Sequence, residues 1–465
     1  MKISRRQFVI GASSAVALSS ACGSGAGGEG RADGGLLDQD GFSGAPDANT
    51  IPVGPGPEPE AWQAPGTEDV AGFPWAIQVG DAEASTALVS VRTTLPGLTL
   101  KVMRGTDSGW VEQQSISGLT PDDKVVQVSL QGLAPDYRYS LSFYSESGDL
   151  RSPVARFRTA LPAGESRVIR FGATSCLGGN RPWPSMQHLA GENLDFFCLL
   201  GDTMYADWDN DGDVEYNEAH YEAKWESVLA VDGLVQMAKS TSLISAWDDH
   251  EVENNWPSDA PHAAIARRSF GRALPIVEKN GQSIWRSIRW GDALEVFVLD
   301  IRSERDGAQY ISVEQMDWFK SALSSSPCRF KIVMNTVPIT KLGALIAIGQ
   351  QDRWEGHAQQ RDEILNYISD NDVAGVLWIT GDFHFGAVSN LSSSGVGSDA
   401  WEVMCGPGGS AINPAARLLF PFGHIDTIVK EFNSVLFEAD PDAGTIRFQF
   451  IGDDGSVIRE KTLSL

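Results

Sequence analysis

Short apolar runs that end on an ionisable residue recur along this chain from residue 168 onward. Phe196–Leu200 runs into Gly201-Asp202, with Tyr205 three residues on. Leu243–Trp247 ends at Asp248-Asp249-His250, Gly375–Ile379 leads to Asp382 and His384, and Val168–Thr174 leads to Cys176. A continuous apolar run bounded by turn residues reads as a buried strand, and open α/β sheets keep their sites at the carboxyl ends of strands. The pattern therefore predicts a scaffold that gathers four strand ends. Further runs at Ala293–Leu299, Phe330–Val337 and Trp401–Met404 predict strands, and Tyr216–Ala230 and Val313–Ser324 predict helices. Ser434–Glu438, Thr445–Ile451 and Val457–Leu463 instead alternate and are joined by turns, as antiparallel strands closing a mixed sheet would.

Upstream, residues 67–161 read as all-β. Ala84–Arg92, Thr99–Arg104, Val125–Leu130, Arg138–Tyr144 and Ala155–Thr159 are short alternating runs with turn residues between them, the spacing of a small sandwich. Leu133-x-Pro135-x-x-x-Tyr139 resembles the tyrosine-corner segment of fibronectin type III domains. Residues 166–465 form the main domain. Residues 23–66 are rich in Gly, Pro and acidic residues with little apolar content, and are expected to be a linker. Residues 1–22 read as a targeting segment, with Lys2, Arg5 and Arg6 ahead of an apolar stretch that closes at Ala21-Cys22. Ser4-Arg5-Arg6-Gln7-Phe8 resembles a twin-arginine export signal and Cys22 a lipoprotein cleavage site, although Ser19 stands where Leu is usual. Export to the periplasm or cell envelope is expected. Lipid anchoring through Cys22 and simple cleavage near Ala21 both remain open.

Composition narrows the function. A chain of 465 residues is too long for one core, so two domains plus extras are expected. The net charge of −25 argues against a nucleic-acid partner, because phosphate backbones need a basic surface. It suits an exported protein or one that holds cations. Five Cys without a CxxC spacing do not make a disulfide framework. No feature calls for a subunit partner, and a monomer is expected.

The strand ends supply carboxylates, a phenol, imidazoles and one thiol. Carboxylates alone suit Ca2+ or Mg2+, whereas thiolate, phenolate and His suit a transition metal such as Fe3+. A mixed set points to two unlike metals sharing a carboxylate, the usual device for in-line attack at phosphorus. Singly, each residue has a bland account: a Gly-Asp after a strand is commonly a turn, and Cys198 reads as a small buried hydrophobe. The repetition at four strand ends, and the four adjacent ionisable side chains Asp248–Glu251, change that balance. Cys405–Ser410 is Gly-rich but lacks a phosphate-loop Lys, and no Gly-x-Ser-x-Gly elbow supports a serine hydrolase. His357 and His424 show no partners in sequence.

Ala173-Thr174-Ser175-Cys176, Gly201-Asp202-x-x-Tyr205-Ala206-Asp207, Trp247-Asp248-Asp249-His250-Glu251-Val252-Glu253-Asn254-Asn255, Leu299-Asp300-x-Arg302-x-x-Arg305-Asp306 and Thr380-Gly381-Asp382-x-His384 resemble the PhoD-type alkaline phosphatases, within the calcineurin-like metallophosphoesterases. The resemblance covers about residues 67–465 and implies an α/β fold, a mixed-sheet αββα sandwich, preceded by a small all-β sandwich domain. It implies hydrolysis of phosphate monoesters or diesters by a metal-activated water, with Fe3+ and Ca2+ in the active site. Cys176, Tyr205 and His384 would bind the iron, Asp202 would bridge, and Asp382 would bind the calcium side. One further ligand would be Asp249 or Asn254. His250 would assist the leaving group, and Arg302 would either pair with substrate phosphate or form a structural ion pair.

One stretch departs from the family pattern. Asp207, Asp209, Asp211, Gly212, Asp213 and Glu218 fit D-x-D-x-D-G-x5-E, the calcium loop of an EF-hand, with Asp213 offering its carbonyl. An additional structural Ca2+ is expected there, against a solvated acidic loop or an active-site role for Asp207. The rival to the enzyme is a non-catalytic calcium-binding surface lipoprotein, which would have no need of Cys176, Tyr205 and His384 together.

Overall fold

The strand Phe196–Leu200 lies inside a nine-stranded sheet, between Ile169–Thr174 and Ser242–Ala246, and all three run parallel. Each of its five residues is buried, as expected of a strand covered on both faces. The computed structural model describes residues 56–178, 181–208, 215–256, 259–277, 283–307, 309–342, 352–414, 416, 420–421 and 423–465. The expected signal, Cys22 and most of the linker lie outside them.

A seven-stranded sheet carries another of the strands that end on ionisable residues, Val376–Thr380, which runs parallel to Phe330–Met334 and Trp401–Met404. The two sheets share one core: Phe171, Phe196 and Ile244 from the first join Val296, Ile332 and Ile379 from the second. Helices Pro184–Ala190 and Asp232–Ser240 add Met186, Leu189, Leu234 and Met237 to that core. Helices Val313–Ser325 and Ala358–Asp370 cover the seven-stranded sheet, with Phe319 and Ile364 against Val333 and Trp378. The tail strands Asn433–Asp440, Thr445–Gly452 and Val457–Ser464 are antiparallel and close one edge of the nine-stranded sheet, as their alternation predicts.

The upstream β region has its own core, including Leu100, Val102, Leu141 and Phe157. The tyrosine corner is present: the Ala134 amide donates to the Tyr139 hydroxyl at 2.7 Å. Three of its strands are continuous with the nine-stranded sheet. Gln78–Gly80, Ala87–Arg92 and Val125–Leu130 extend the nine-stranded sheet beyond Ser242–Ala246, joined at Leu243 and Gly80. Gly80 is required for this approach, since a Cβ there would lie 1.7 Å from the Pro275 carbonyl oxygen. Asp81, buried beside it, receives Arg286 through two hydrogen bonds of 2.7 Å.

Candidate metal centre

Four ionisable residues at the strand ends share an unusual backbone. Cys176 (φ 54°), Asp202 (φ 54°), Asp382 (φ 67°) and His384 (φ 56°) are all left-handed. Each such non-Gly residue costs about 1–3 kcal/mol, and functional sites are where such strain concentrates. Neighbouring groups hold it in place. Glu251 is buried and accepts from the amides of Asp202 (3.2 Å), Thr203 (2.6 Å) and Asp248 (2.9 Å), tying the ends of two strands together. Gly201 (φ 85°) lets those ends touch, because a Cβ there would meet the Asp248 Cβ at 2.7 Å. The Cys405–Ser410 turn packs on the Cys176 backbone, with the amides of Gly409 and Ser410 donating to the Cys176 carbonyl at 3.1 and 2.8 Å.

Asp202 is common to three groups of donors. One donor atom from each of Cys176, Asp202 and His384 lies within 4.8 Å of the other two, and the same holds for Asp202, Asp249, His250 and for Asp202, Asp248, Asp382. Tyr205 joins the first: its hydroxyl is 3.2 Å from Asp202 Oδ2 and 3.2 Å from His384 Nε2. His384 Nδ1 is 2.9 Å from the Ala411 carbonyl, which can only accept, so Nδ1 carries the proton and the Nε2 lone pair faces the centre. Burial holds the His384 pKa below its usual value, which keeps the ring neutral.

The acids behave in the opposite sense. Burial, followed by Asp202, pushes the Cys176 thiol and the Tyr205 phenol well up. Burial, with Asp248 and Asp249 nearby, does the same to Asp382, and burial raises Asp202 despite the opposing His250. Protons or cations must neutralise such a cluster, and a bound cation deprotonates a coordinating thiol outright. Asp249 supplies a further sign of fit. Its Oδ2 accepts from the Asn255 amide at 2.6 Å, whereas its Oδ1 is buried with no hydrogen-bond partner among the described residues. An orphaned carboxylate oxygen beside Asp202 is a natural ligand position. Asn254, the other candidate, is exposed, and its amide donates to Asp207 at 3.1 Å.

Arg302 belongs to the frame and does not face substrate. Its side chain has no exposure. Nε and Nη2 donate to Asp248 at 2.8 and 2.9 Å, and Nη1 donates to Asp352 at 2.7 Å. The expected phosphate fork is therefore corrected to the structural alternative: both edges of the guanidinium are occupied by carboxylates. Asp248 also accepts from the Thr336 hydroxyl at 2.7 Å.

Asp207 likewise faces the centre. Its Oδ1 is 2.7 Å from His250 Nδ1, and the His250 ring stacks on Tyr205 at 4.1 Å. Burial opposes charge on His250, but Asp202 and Asp207 outweigh it and hold its pKa at about 10. Of the remaining expected calcium-loop ligands, Asp209, Asp211 and Asp213 lie outside the described residues. Glu218 opens the helix Glu218–Leu229 and pairs with Arg268 at 2.7 Å. Both ends of the loop thus have other partners. His357 stacks on Tyr310 at 4.6 Å and His424 Nε2 meets the Lys341 carbonyl at 2.8 Å, so neither is the isolated residue that the sequence suggests.

Residues 171–453, which span every strand end described above, match the family model of the PhoD-like phosphatases. The chain belongs to the PhoD-like phosphatase family. It is 26% identical over 318 residues to alkaline phosphatase D of Bacillus subtilis (strain 168), an alignment covering 57% of this chain and 54% of the relative. The chain thus spans about half the length of that curated relative. A solved structure of PhoD superposes with a TM-score of 0.71 at 18% identity, over 85% of this chain and 89% of the other. The purple acid phosphatase PPD1 from yellow lupin seeds gives 0.63 at 15% identity, over 84% and 75%. These likenesses show the αββα metallophosphoesterase fold. Within this PhoD-like site, the groups that sequence did not single out are Glu251 as a clamp and Asp352 as the second partner of Arg302.

Proposed function

We propose that the chain is an exported, metal-dependent phosphatase that hydrolyses phosphate monoesters, diesters or both. The observation that carries this reading is the sharing of Asp202 by three donor groups, each within 4.8 Å. Cys176, Tyr205, His384 and Asp202 would hold one cation, Fe3+ by donor chemistry. Asp202, Asp249 and Asp382 would hold a second, Ca2+, in a carboxylate environment. When bound, such a pair lowers the pKa of the attacking water and neutralises the phosphoryl oxygens.

The chain's own residues do the rest. Glu251 fixes the two loops on which Asp202 and Asp249 sit. Arg302 offsets the charge of Asp248 without leaving the frame. His250 donates Nδ1–H to Asp207, which leaves Nε2 as the atom that would donate a proton to the leaving oxygen. Export rests on the basic and apolar pattern of residues 1–22.

The test is metal content and visible spectrum of wild type and Cys176→Ala, both purified after export, alongside ester hydrolysis. Iron with calcium, and a tyrosinate-to-iron band weakened together with activity in the variant, are expected. Calcium alone, with no colour and no hydrolysis in either form, would leave the calcium-binding surface lipoprotein as the better reading.

A further inference from the structure

The two loops that carry the metal donors also wall a cavity of about 500 Å³. Leu177 directly follows Cys176, and Met204 and Tyr205 follow Asp202. Val228 and Val231 close the opposite wall from the end of the helix Glu218–Leu229 and the turn after it. Trp208 stands on the rim, 48% exposed, its ring 5.2 Å from that of Tyr205 and inclined by 45°. The Lys224 ammonium donates to the Trp208 carbonyl at 2.9 Å and fixes its backbone. The cavity therefore shares the Tyr205 ring with the metal centre. It also shares that ring with His250, which stacks on it at 4.1 Å.

From this arrangement we propose that the cavity is the leaving-group subsite, and that it takes phosphate esters of alcohols carrying an aromatic ring. The proposal rests on the phosphatase reading above. A volume of this size is ordinary for a small-molecule site. Its lining mixes Val228, Val231 and the half-open Trp208 indole with the polar side chains of Arg181, Ser227, Lys224 and Asp232. The indole face is the large apolar surface that the cavity offers a ligand. A flat ring laid on the exposed face of Trp208 covers the indole and removes apolar surface from water, in the offset or edge geometry that favours an aromatic. The phosphorus then lies at the far end of Tyr205, by the phenol oxygen.

Two esters with the same kind of leaving oxygen separate the ring from the chemistry: 2-phenylethyl phosphate and ethyl phosphate, each also as its methyl diester. The wild type should prefer the phenylethyl member in kcat/KM by about tenfold or more. Trp208→Ala should collapse that ratio toward one. So should Ser227→Trp, an exposed helix position that lines the cavity. Calorimetric binding of 2-phenylethylphosphonate against ethylphosphonate should show the same preference and the same loss, without turnover. Equal handling of the two esters by the wild type, or a ratio unchanged in both variants, would overturn the subsite while leaving the phosphatase reading intact. No turnover of any ester by the metal-loaded protein would overturn both.

Discussion

Asp207 Oδ1 lies 2.7 Å from His250 Nδ1, and its other oxygen accepts the Asn254 amide at 3.1 Å. The carboxylate thus fixes the ring's orientation and supports its charge. Asp202 is the larger charge that raises the His250 pKa and Asp207 the next; Asp207→Asn keeps the shape and removes the second of them, so that pKa falls. A proton donor in the wrong state costs on the order of a hundredfold in kcat. We expect that loss with metal content unchanged, read by steady-state kinetics and elemental analysis on one preparation. Loss of calcium with kcat per loaded site preserved would assign Asp207 to an ion instead.

The Arg302 fork gives a stability prediction. Asp248 and Asp352 are both largely buried, and Arg302 is their shared cation. Arg302→Met leaves two carboxylates without it, and breaking a buried pair in this way costs about 3–5 kcal/mol. Urea unfolding of the metal-free protein should show the decrease. A substrate contact would behave otherwise, raising KM with unfolding unchanged.

Asp249 and Asn254 can be told apart by metal retention. Asp249 is buried with an unpartnered oxygen, and Asn254 is exposed. Asp249→Ala should weaken the second cation by more than the roughly 10–100-fold typical of a supporting residue. Asn254→Ala should leave it unchanged. Titration of the chelated protein, followed by calorimetry, decides between them, and the reverse order would reassign the ligand.

What the sequence revealed follows from burial. Phe196–Leu200, Trp401–Met404 and Val125–Leu130 occur as strands with the expected bounds: the first is an unbroken apolar run covered on both faces, and the last alternates buried Val126, Val128 and Leu130 with half-buried Gln127 and Ser129. Gly109–Leu119 was not legible: most of its eleven residues face solvent or are half-buried, and their polar side chains look like a loop. The helix Ala358–Asp370 hides for another reason. Its buried face includes Arg361, whose guanidinium donates to the carbonyls of Ile339 and Leu391 at 2.7 Å each, so the apolar stripe is broken by a charge. At the site, residue types could be read from the strand ends, but partners could not. Arg302 meets Asp248 across 54 positions and Asp352 across 50, a pairing fixed only by the fold.

The tyrosine corner makes a pH prediction far from the metal centre. Burial raises the Tyr139 pKa from 10.0 to about 12, so the folded state prefers the neutral phenol. Its contribution is fully present below pH 10 and is lost as pH rises toward 12, at about 1.4 kcal/mol per pH unit across that window. Tyr139→Phe removes the titration, but it also leaves the Ala134 amide without its 2.7 Å acceptor, a loss of about 1–3 kcal/mol. At pH 9 the wild type should therefore be the more stable of the two. Between pH 10 and 12 its advantage should shrink and approach reversal, as denaturant unfolding at closely spaced pH values would show. Parallel curves through pH 12 would mean that water reaches the phenol in the folded state, and that the corner is held by its ring packing alone.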